Sequence, residues 1–281
     1  MFASAVPWDT CNDAKQCMSN NRLFTGTACY YAKYRAGYPQ EFFDFVIKTF
    51  ELKGDGRLLD AGCGTGQIAF PLAQHVAEVV ALDPEEEMLA EAKRQAKQAG
   101  ALNISYVQRK AEDISADLGT FRLTTMGASF HWMEQAVVLQ KIYAVTERRG
   151  GVVIVSDSSS PWRDADAERW KEVRKELVQK YLGEQRRAGD RHYTKPQESF
   201  EDQLNESPFG RYEEWTHDYE RTWSLEAAIN FLYSTSFASR RLFGDRLEAF
   251  ENELREALLA LEPAGVFKEQ VRVQALFARK A

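Results

Sequence analysis

From residue 57 onward, apolar and polar positions follow two alternating rhythms. RLLDAG, EVVALDP, ISYVQRK, FRLTTMGAS and GGVVIVSDSS are short apolar runs and predict five strands. Between them GQIAFPLAQHV, PEEEMLAEAKRQAKQAG and MEQAVVLQKIYAVTERRG place apolar residues at helical spacing. The second of these opens on Pro84, has acids early and bases late, and meets Gly100 just past its end. That order lays a helix along its own dipole. Strand and helix repeated in this way predict right-handed crossovers and a doubly wound, Rossmann-like α/β fold with a mostly parallel sheet. RYEEWTHDYERTW (211–223) and VFKEQVRVQALFARK (266–280) read as two further strands, separated by the helices LEAAINFLYSTSFA and DRLEAFENELREALLAL. Seven strands result, with the last pair expected to be antiparallel at one edge.

Two segments fall outside this rhythm. Residues 1–56 are rich in Tyr and Phe, end in the helix EFFDFVIKTF, and read as an N-terminal helical lid. Residues 161–210 form an insertion after the fifth strand, helical through AERWKEVRKELVQKYL and then polar. The expected division is therefore 1–56, a core over 57–160, the insertion 161–210, and 211–281 completing the sheet.

Charge narrows the partners. With 36 basic and 42 acidic residues the net charge is −6, which argues against a nucleic-acid binder that needs a basic face. No apolar run approaches the roughly 20 residues of a membrane span, and no basic-then-apolar leader opens the chain. The expected address is cytoplasmic, off the membrane. Four cysteines, at 11, 17, 29 and 63, complete no zinc-ligand pattern and read as free thiols, Cys63 as a small filler.

The chemistry gathers at LLDAGCGTG, residues 58–66. Glycines at a strand-to-helix turn permit positive φ and close approach of a ligand to the backbone. The spacing Gly62-x-Gly64-x-Gly66 lacks the wider second gap of a dinucleotide fingerprint and the Lys-Ser/Thr of a phosphate loop. Asp60, just before the glycines, would repel phosphate and attract an ammonium group. Asp83 ends the second strand and suits the two hydroxyls of a ribose. The turn Lys110–Asp113 after the third strand falls on the same rim. A nucleoside with an amino-acid ammonium and no phosphate meets these demands: S-adenosyl-L-methionine.

Residues 57–157 resemble the core of class I S-adenosylmethionine-dependent methyltransferases. DAGCGTG resembles their first motif, ALDP the ribose acid, and RKAEDI the adenine turn. YAKYRAGYP and GASFHW resemble a branch that methylates small molecules, including trans-aconitate methyltransferase-like enzymes. The resemblance implies that Asp60, Ala61 and Gly62 hold the methionine ammonium while Gly64 and Gly66 shape the loop. It gives Asp83 and Pro84 to the ribose, Met88 to the adenine edge, and Ala111 and Glu112 to the adenine ring and amino group. Ser129 and Phe130, after the fourth strand, and Tyr30, Tyr34 and Arg35, over the methionine end, join the set; Arg35 would pair the methionine carboxylate. Arg122 departs from the pattern, because an acid often follows that Phe in the family. Simpler duties remain open beside these roles: helix capping for Asp60 and Asp83, core filling for Met88, and turn anchoring for Tyr34 and Arg35.

Methyl transfer from a sulfonium mainly requires an acceptor held about 3–3.5 Å away with water excluded. His131 and Tyr34 are the catalytic candidates, with a pocket wall as the alternative duty of His131. The lid and insertion supply the acceptor side. Tyr30, Tyr31, Tyr34, Tyr38, Trp162 and Trp170 read either as a sulfonium-facing lid or as core. Arg163, Arg186, Arg187 and Arg191 read either as acceptor-carboxylate ligands or as solvated surface. The expected product is S-adenosylhomocysteine; the alternative on this scaffold is cyclisation of the cofactor or aminocarboxypropyl transfer, releasing methylthioadenosine. No metal is expected, the acceptor is a small molecule, and the protein is expected to be a monomer or weak homodimer.

Overall fold

A computed structural model describes residues 23–158, 168–194 and 198–281. Cys11, Cys17, Trp162 and Arg163 lie outside these residues. Helices α1 (Ala28–Tyr34) and α2 (Gln40–Thr49) lead into β1 (Arg57–Ala61). There follow α3 (Ala69–Ala73), β2 (Glu78–Asp83), α4 (Glu86–Ala99), β3 (Ile104–Gln108), β4 (Phe121–Gly127), α5 (Gln135–Val145) and β5 (Thr146–Asp157). The insertion holds α6 (Arg169–Leu182), a hairpin of β6 (Arg187–Ala188) and β7 (Arg191–His192), and α7 (Phe200–Glu206). The chain then gives β8 (Glu213–Ser224), α8 (Leu225–Tyr233), α9 (Leu247–Leu261) and β9 (Val266–Arg279).

Seven strands form one sheet in the order β3-β2-β1-β4-β5-β9-β8. The first five run parallel, and β9 is antiparallel to both β5 and β8. The expected α/β sheet with an antiparallel last strand is thus present, with β9 inside the sheet and β8 at its edge. Strand order reverses between β1 and β4, which opens a crevice at their carboxyl ends.

Leu58 and Leu59 show why the sheet is buried on both sides. Neighbours in β1 point to opposite faces, and each is fully buried. Leu58 joins Phe42, Val46, Leu72 and Val153; Leu59 joins Val80, Phe130, Ile142 and Ile154. A third cluster packs Trp170 and Leu177 of α6 against Phe231 of α8 and Phe250 of α9. The helical part of the insertion therefore shares a core with the C-terminal helices.

Four local departures have physical causes. Helix α3 is five residues long, because Pro71 has no N–H to give and is tolerated only in a first turn. Helix α5 ends at Val145, where the Thr146 hydroxyl donates to the Ile142 carbonyl at 2.6 Å. TERRGG, read as helix from its spacing, instead opens β5 through a bulge opposite Arg122, with Arg149 at φ 66°. In the polar connection, α7 starts on a capping box of Ser199 and Asp202. Cys29 is disulfide-bonded, which overturns the free-thiol reading for that residue; cysteine spacing alone does not separate the two states. Cys63 is a buried free thiol pushed well up by burial, as a filler should be. Among the described residues no helix is long and apolar enough to cross a membrane, and no cluster of side chains suits a metal.

Candidate active site

The glycine turn after β1 is built of conformations that side chains avoid. Gly62, Gly64 and Gly66 have φ of 71°, 53° and 95°. A methyl group on Gly62 would stand 2.6 Å from Ser129 Cβ, and one on Gly66 2.5 Å from the Phe70 ring. The N–H groups of Gly62 and Cys63 both donate to the Leu82 carbonyl, at 2.7 and 3.0 Å. The turn is thereby fixed to β2 and to the residues after β4.

Asp60 is 1% exposed. Its Oδ1 accepts from Thr125 Oγ1 at 2.8 Å, and its Oδ2 accepts the Ala69 N–H, the first of α3, at 3.2 Å. Burial pushes this carboxyl up to about 7, although both hydrogen bonds favour the charged form. Asp60 therefore caps α3 and faces the cleft at once, with acceptor capacity left on each oxygen. Asp83, also buried, accepts the N–H of Gly64 on Oδ2 and of Glu85 on Oδ1, both at 2.9 Å, and burial raises it.

The segment before α1 lies across the start of α4. Glu87 accepts the Gly26 N–H at 2.6 Å, and the Phe24 N–H bonds Glu85, whose carboxyl burial pushes up to about 7. The Phe24 ring meets Tyr31 and Trp132 edge-on, at 6.2 and 6.1 Å. Trp132 in turn meets Tyr193 of the insertion at 5.5 Å.

A cleft at the carboxyl ends of β1, β4 and β5 is lined by Asp60, Gly62, Gly127 and Asp157, and on its outer side by Tyr31, Arg35, Tyr38, Arg221 and Phe231. Part of the cleft is open to solvent. The Arg35 guanidinium lies 5.0 Å from the Tyr31 ring centre and 4.9 Å from that of Phe231. Its Nε donates to Ser234 Oγ at 3.1 Å, and among the described residues no carboxylate reaches it. Burial holds the Tyr31 and Tyr38 phenols up, and the carboxylates of Asp157 and Asp60 add to this. Both stay protonated and act as donors. A buried acid on one wall and an unmatched guanidinium on another suit the ammonium and carboxylate of an amino acid. The bare glycine backbone lets such a group come close.

Comparison with known proteins agrees with this geometry. Residues 58–150 match the family described as "Methyltransferase domain". An uncharacterised methyltransferase of Bacillus subtilis, YcgJ, is 26% identical over 139 residues, 49% of this chain and 55% of that protein. The crystal structure of YcgJ superposes with a TM-score of 0.53 at 16% identity, covering 86% of this chain and 99% of that one. The demethylmenaquinone methyltransferase of Lactococcus lactis is 32% identical over 118 residues, 40% of this chain and 47% of that protein. Over residues 58–150 the chain is similar to methyltransferase domains, and the YcgJ superposition shows the shared fold. The chain's sequence match spans about half the length of these curated relatives.

Around the cleft the remaining candidates fall into two groups. Ala61 and Ser129 stand directly behind the glycine turn, with Ser129 Oγ donating to the Ala61 carbonyl at 2.9 Å. Pro84 follows Asp83 and its carbonyl accepts from Gln108 at 3.3 Å. Met88 and Ala111 are buried, and Glu112 accepts the Glu134 N–H at 2.8 Å. Phe130 is buried against Phe200. These residues are not part of the cleft lining; they surround its turn and the β2 and β3 ends.

Tyr30, Tyr34 and His131 are placed elsewhere. Tyr30 stacks on Tyr34, meets Tyr233 at 5.5 Å, and accepts from Arg240 at 2.7 Å. His131 lies on Trp132, with ring centres 4.6 Å apart, and near Tyr193. The cleft instead takes Tyr31 and Tyr38. Tyr31 on α1, Arg35 at its C-terminal cap and Tyr38 in the loop before α2 reach the cleft, which spacing within YYAKYRAGY does not reveal by itself. Asp157, Arg221 and Glu85 were also unmarked by any motif. Arg221 did carry a signal. It shares strand parity with Trp215, Tyr219 and Trp223, so a charge stands in the inward phase of β8.

Proposed function

We propose that this protein transfers a methyl group from S-adenosylmethionine to a small-molecule acceptor. The observation that carries the reading is the charge layout of the cleft: buried Asp60 facing in from β1, and Arg35 entering from the end of α1 with no carboxylate reaching it among the described residues. Asp60 and the Gly62 backbone would take the ammonium, Arg35 the carboxylate, and Asp83 the ribose hydroxyls. Placing an ammonium beside Asp60 relieves the desolvation that holds its carboxyl near 7. The bound cofactor supplies an already activated methyl group. The chain's own work is then to align the acceptor and exclude water, for which Tyr31, Tyr38 and the Phe24–Trp132–Tyr193 ring contacts provide cover. A small acceptor is favoured by the net charge of −6 and by the quinone precursor for which the Lactococcus relative is named.

Calorimetry with S-adenosylmethionine, S-adenosylhomocysteine and NAD tests the reading. Binding of the two sulfur nucleosides and none of NAD is expected. Preference for NAD, or no binding of either nucleoside, overturns it. Mass analysis of turnover products should then show S-adenosylhomocysteine; methylthioadenosine would move the assignment to cyclisation or aminocarboxypropyl transfer.

A further inference from the structure

Once Asp60 and Arg35 are given to the cofactor, Arg221, on β8, is a second cation lining the cleft, near Asp157 at the end of β5. Arg221 is a built feature. Its side chain is 11% exposed and sits beside the Tyr219 and Trp223 rings, 5.4 and 5.5 Å from their centres. Among the described residues it makes one hydrogen bond, from Nη2 to the Tyr219 hydroxyl. Asp157 and Glu269 approach at 3.6 and 3.7 Å, beyond hydrogen-bond range for N–H to O. Glu269 is already served by Lys171 Nζ at 2.8 Å and Trp223 Nε1 at 2.6 Å. A guanidinium offers five N–H groups in a planar fork. Burying it with one hydrogen bond made leaves N–H groups of that fork without a close acceptor at the cleft wall.

Charge favours an anion there. The network behind Arg221 balances itself: Lys171 and Arg174 offset Glu168 and Glu269. In the cleft, Arg221 offsets Asp157. The sulfonium of the cofactor is left as one uncompensated positive charge. The floor beside it is formed by Gly127 and Ala128, the latter at φ 50°, a strained backbone of the kind that collects at working sites.

We propose that Arg221 is the acceptor's anchor and that the acceptor carries a carboxylate, held by the free edge of the guanidinium. This rests on the methyltransferase reading above. Arginine suits the role because its fork matches both carboxylate oxygens, which a lysine cannot do.

The test is calorimetry on the full chain with and without S-adenosylhomocysteine. The probes are benzoate, phenylacetate and 3-phenylpropionate against benzylamine, phenethylamine and benzamide. At least one carboxylate should bind, and no amine or amide should match it. Arg221→Gln should weaken that binding at least tenfold while nucleoside affinity stays within twofold. Arg221→Lys should not restore it, and Asp157→Asn, checked for folding by its melting curve, should hold the carboxylate at least as well as the natural chain. Arg35→Gln should do the reverse, losing nucleoside affinity. Equal binding of amines, no carboxylate bound, or full carboxylate affinity in Arg221→Gln overturns the proposal. A protein that takes no nucleoside fails the earlier reading; Arg221-dependent carboxylate binding in it would still support this one, and its absence would overturn it.

Discussion

Thr125 and Asp60 face each other across the β1–β4 ladder, and the threonine hydroxyl donates to the aspartate Oδ1 at 2.8 Å. One register pair thus sets both the strand alignment and the charge state of the cleft's acid. Thr125→Val removes a hydrogen bond to a carboxylate, a loss of about 1.5–3 kcal/mol for the charged form. Affinity for S-adenosylhomocysteine should fall about tenfold or more by calorimetry, and Thr125→Ser should restore it.

The elevated Asp60 carboxyl makes cofactor binding depend on pH. Free protein holds a proton on Asp60 below about pH 7, and an arriving ammonium requires the charged form. Affinity should drop up to tenfold for each unit below 7, with about one proton released on binding near pH 6. Asp60→Asn should bind weakly with no such slope.

Stability of the ligand-free protein runs the other way. A carboxyl raised from 3.8 to about 7 by burial contributes stability that is complete below its ordinary value and lost as pH rises through 7. The span corresponds to at most about 4 kcal/mol, and Glu85 acts in the same direction. Melting temperature should therefore rise from pH 8 to pH 5, and less so in Asp60→Asn.

Gly62→Ala combines positive φ with a contact of 2.6 Å to Ser129 Cβ. The left-handed conformation alone costs about 1–2 kcal/mol. The substitution should lower the melting temperature and abolish nucleoside binding, and adding Ser129→Gly should recover part of the first effect but not all.

Lys171 and Glu269 are each 1% exposed and 2.8 Å apart. Glu269→Leu alone leaves buried Lys171 with only the partly exposed Glu168, at 2.9 Å, and should cost up to about 3–5 kcal/mol in denaturant unfolding. Lys171→Met with Glu269→Leu should recover most of that.

The parallel half of the sheet was legible because each of its strands is an apolar run bounded by turn residues, as in RLLDAG and EVVALDP. Asp60 was legible as a cleft residue because a carboxylate at a strand end beside glycines has few other uses. Spacing failed where tertiary contacts decide. The Thr146 hydroxyl ends α5 inside a stretch whose apolar spacing continues, and the packing of α1 and the loop after it brings Tyr31 and Tyr38 to the cleft while Tyr30 and Tyr34 stand outside its lining. Arg221 was hidden for a different reason: its meaning lies in strand parity, and an arginine among many charges stands out only once the inward phase of β8 is counted.

Strand β8 has a single neighbour in the sheet, β9, which is made more than forty residues later and itself separates β8 from β5. While the ribosome is still copying the helices between them, β5 offers one bare edge and β8 two, the latter carrying Trp215, Tyr219 and Trp223. Such edges recruit strands from other molecules. Closure of the fold therefore waits for β9 to slot in like a keystone. Arg221, on β8, is aligned with Glu269 of β9 in that same final step, so a nascent chain has no acceptor wall until this ladder has zipped.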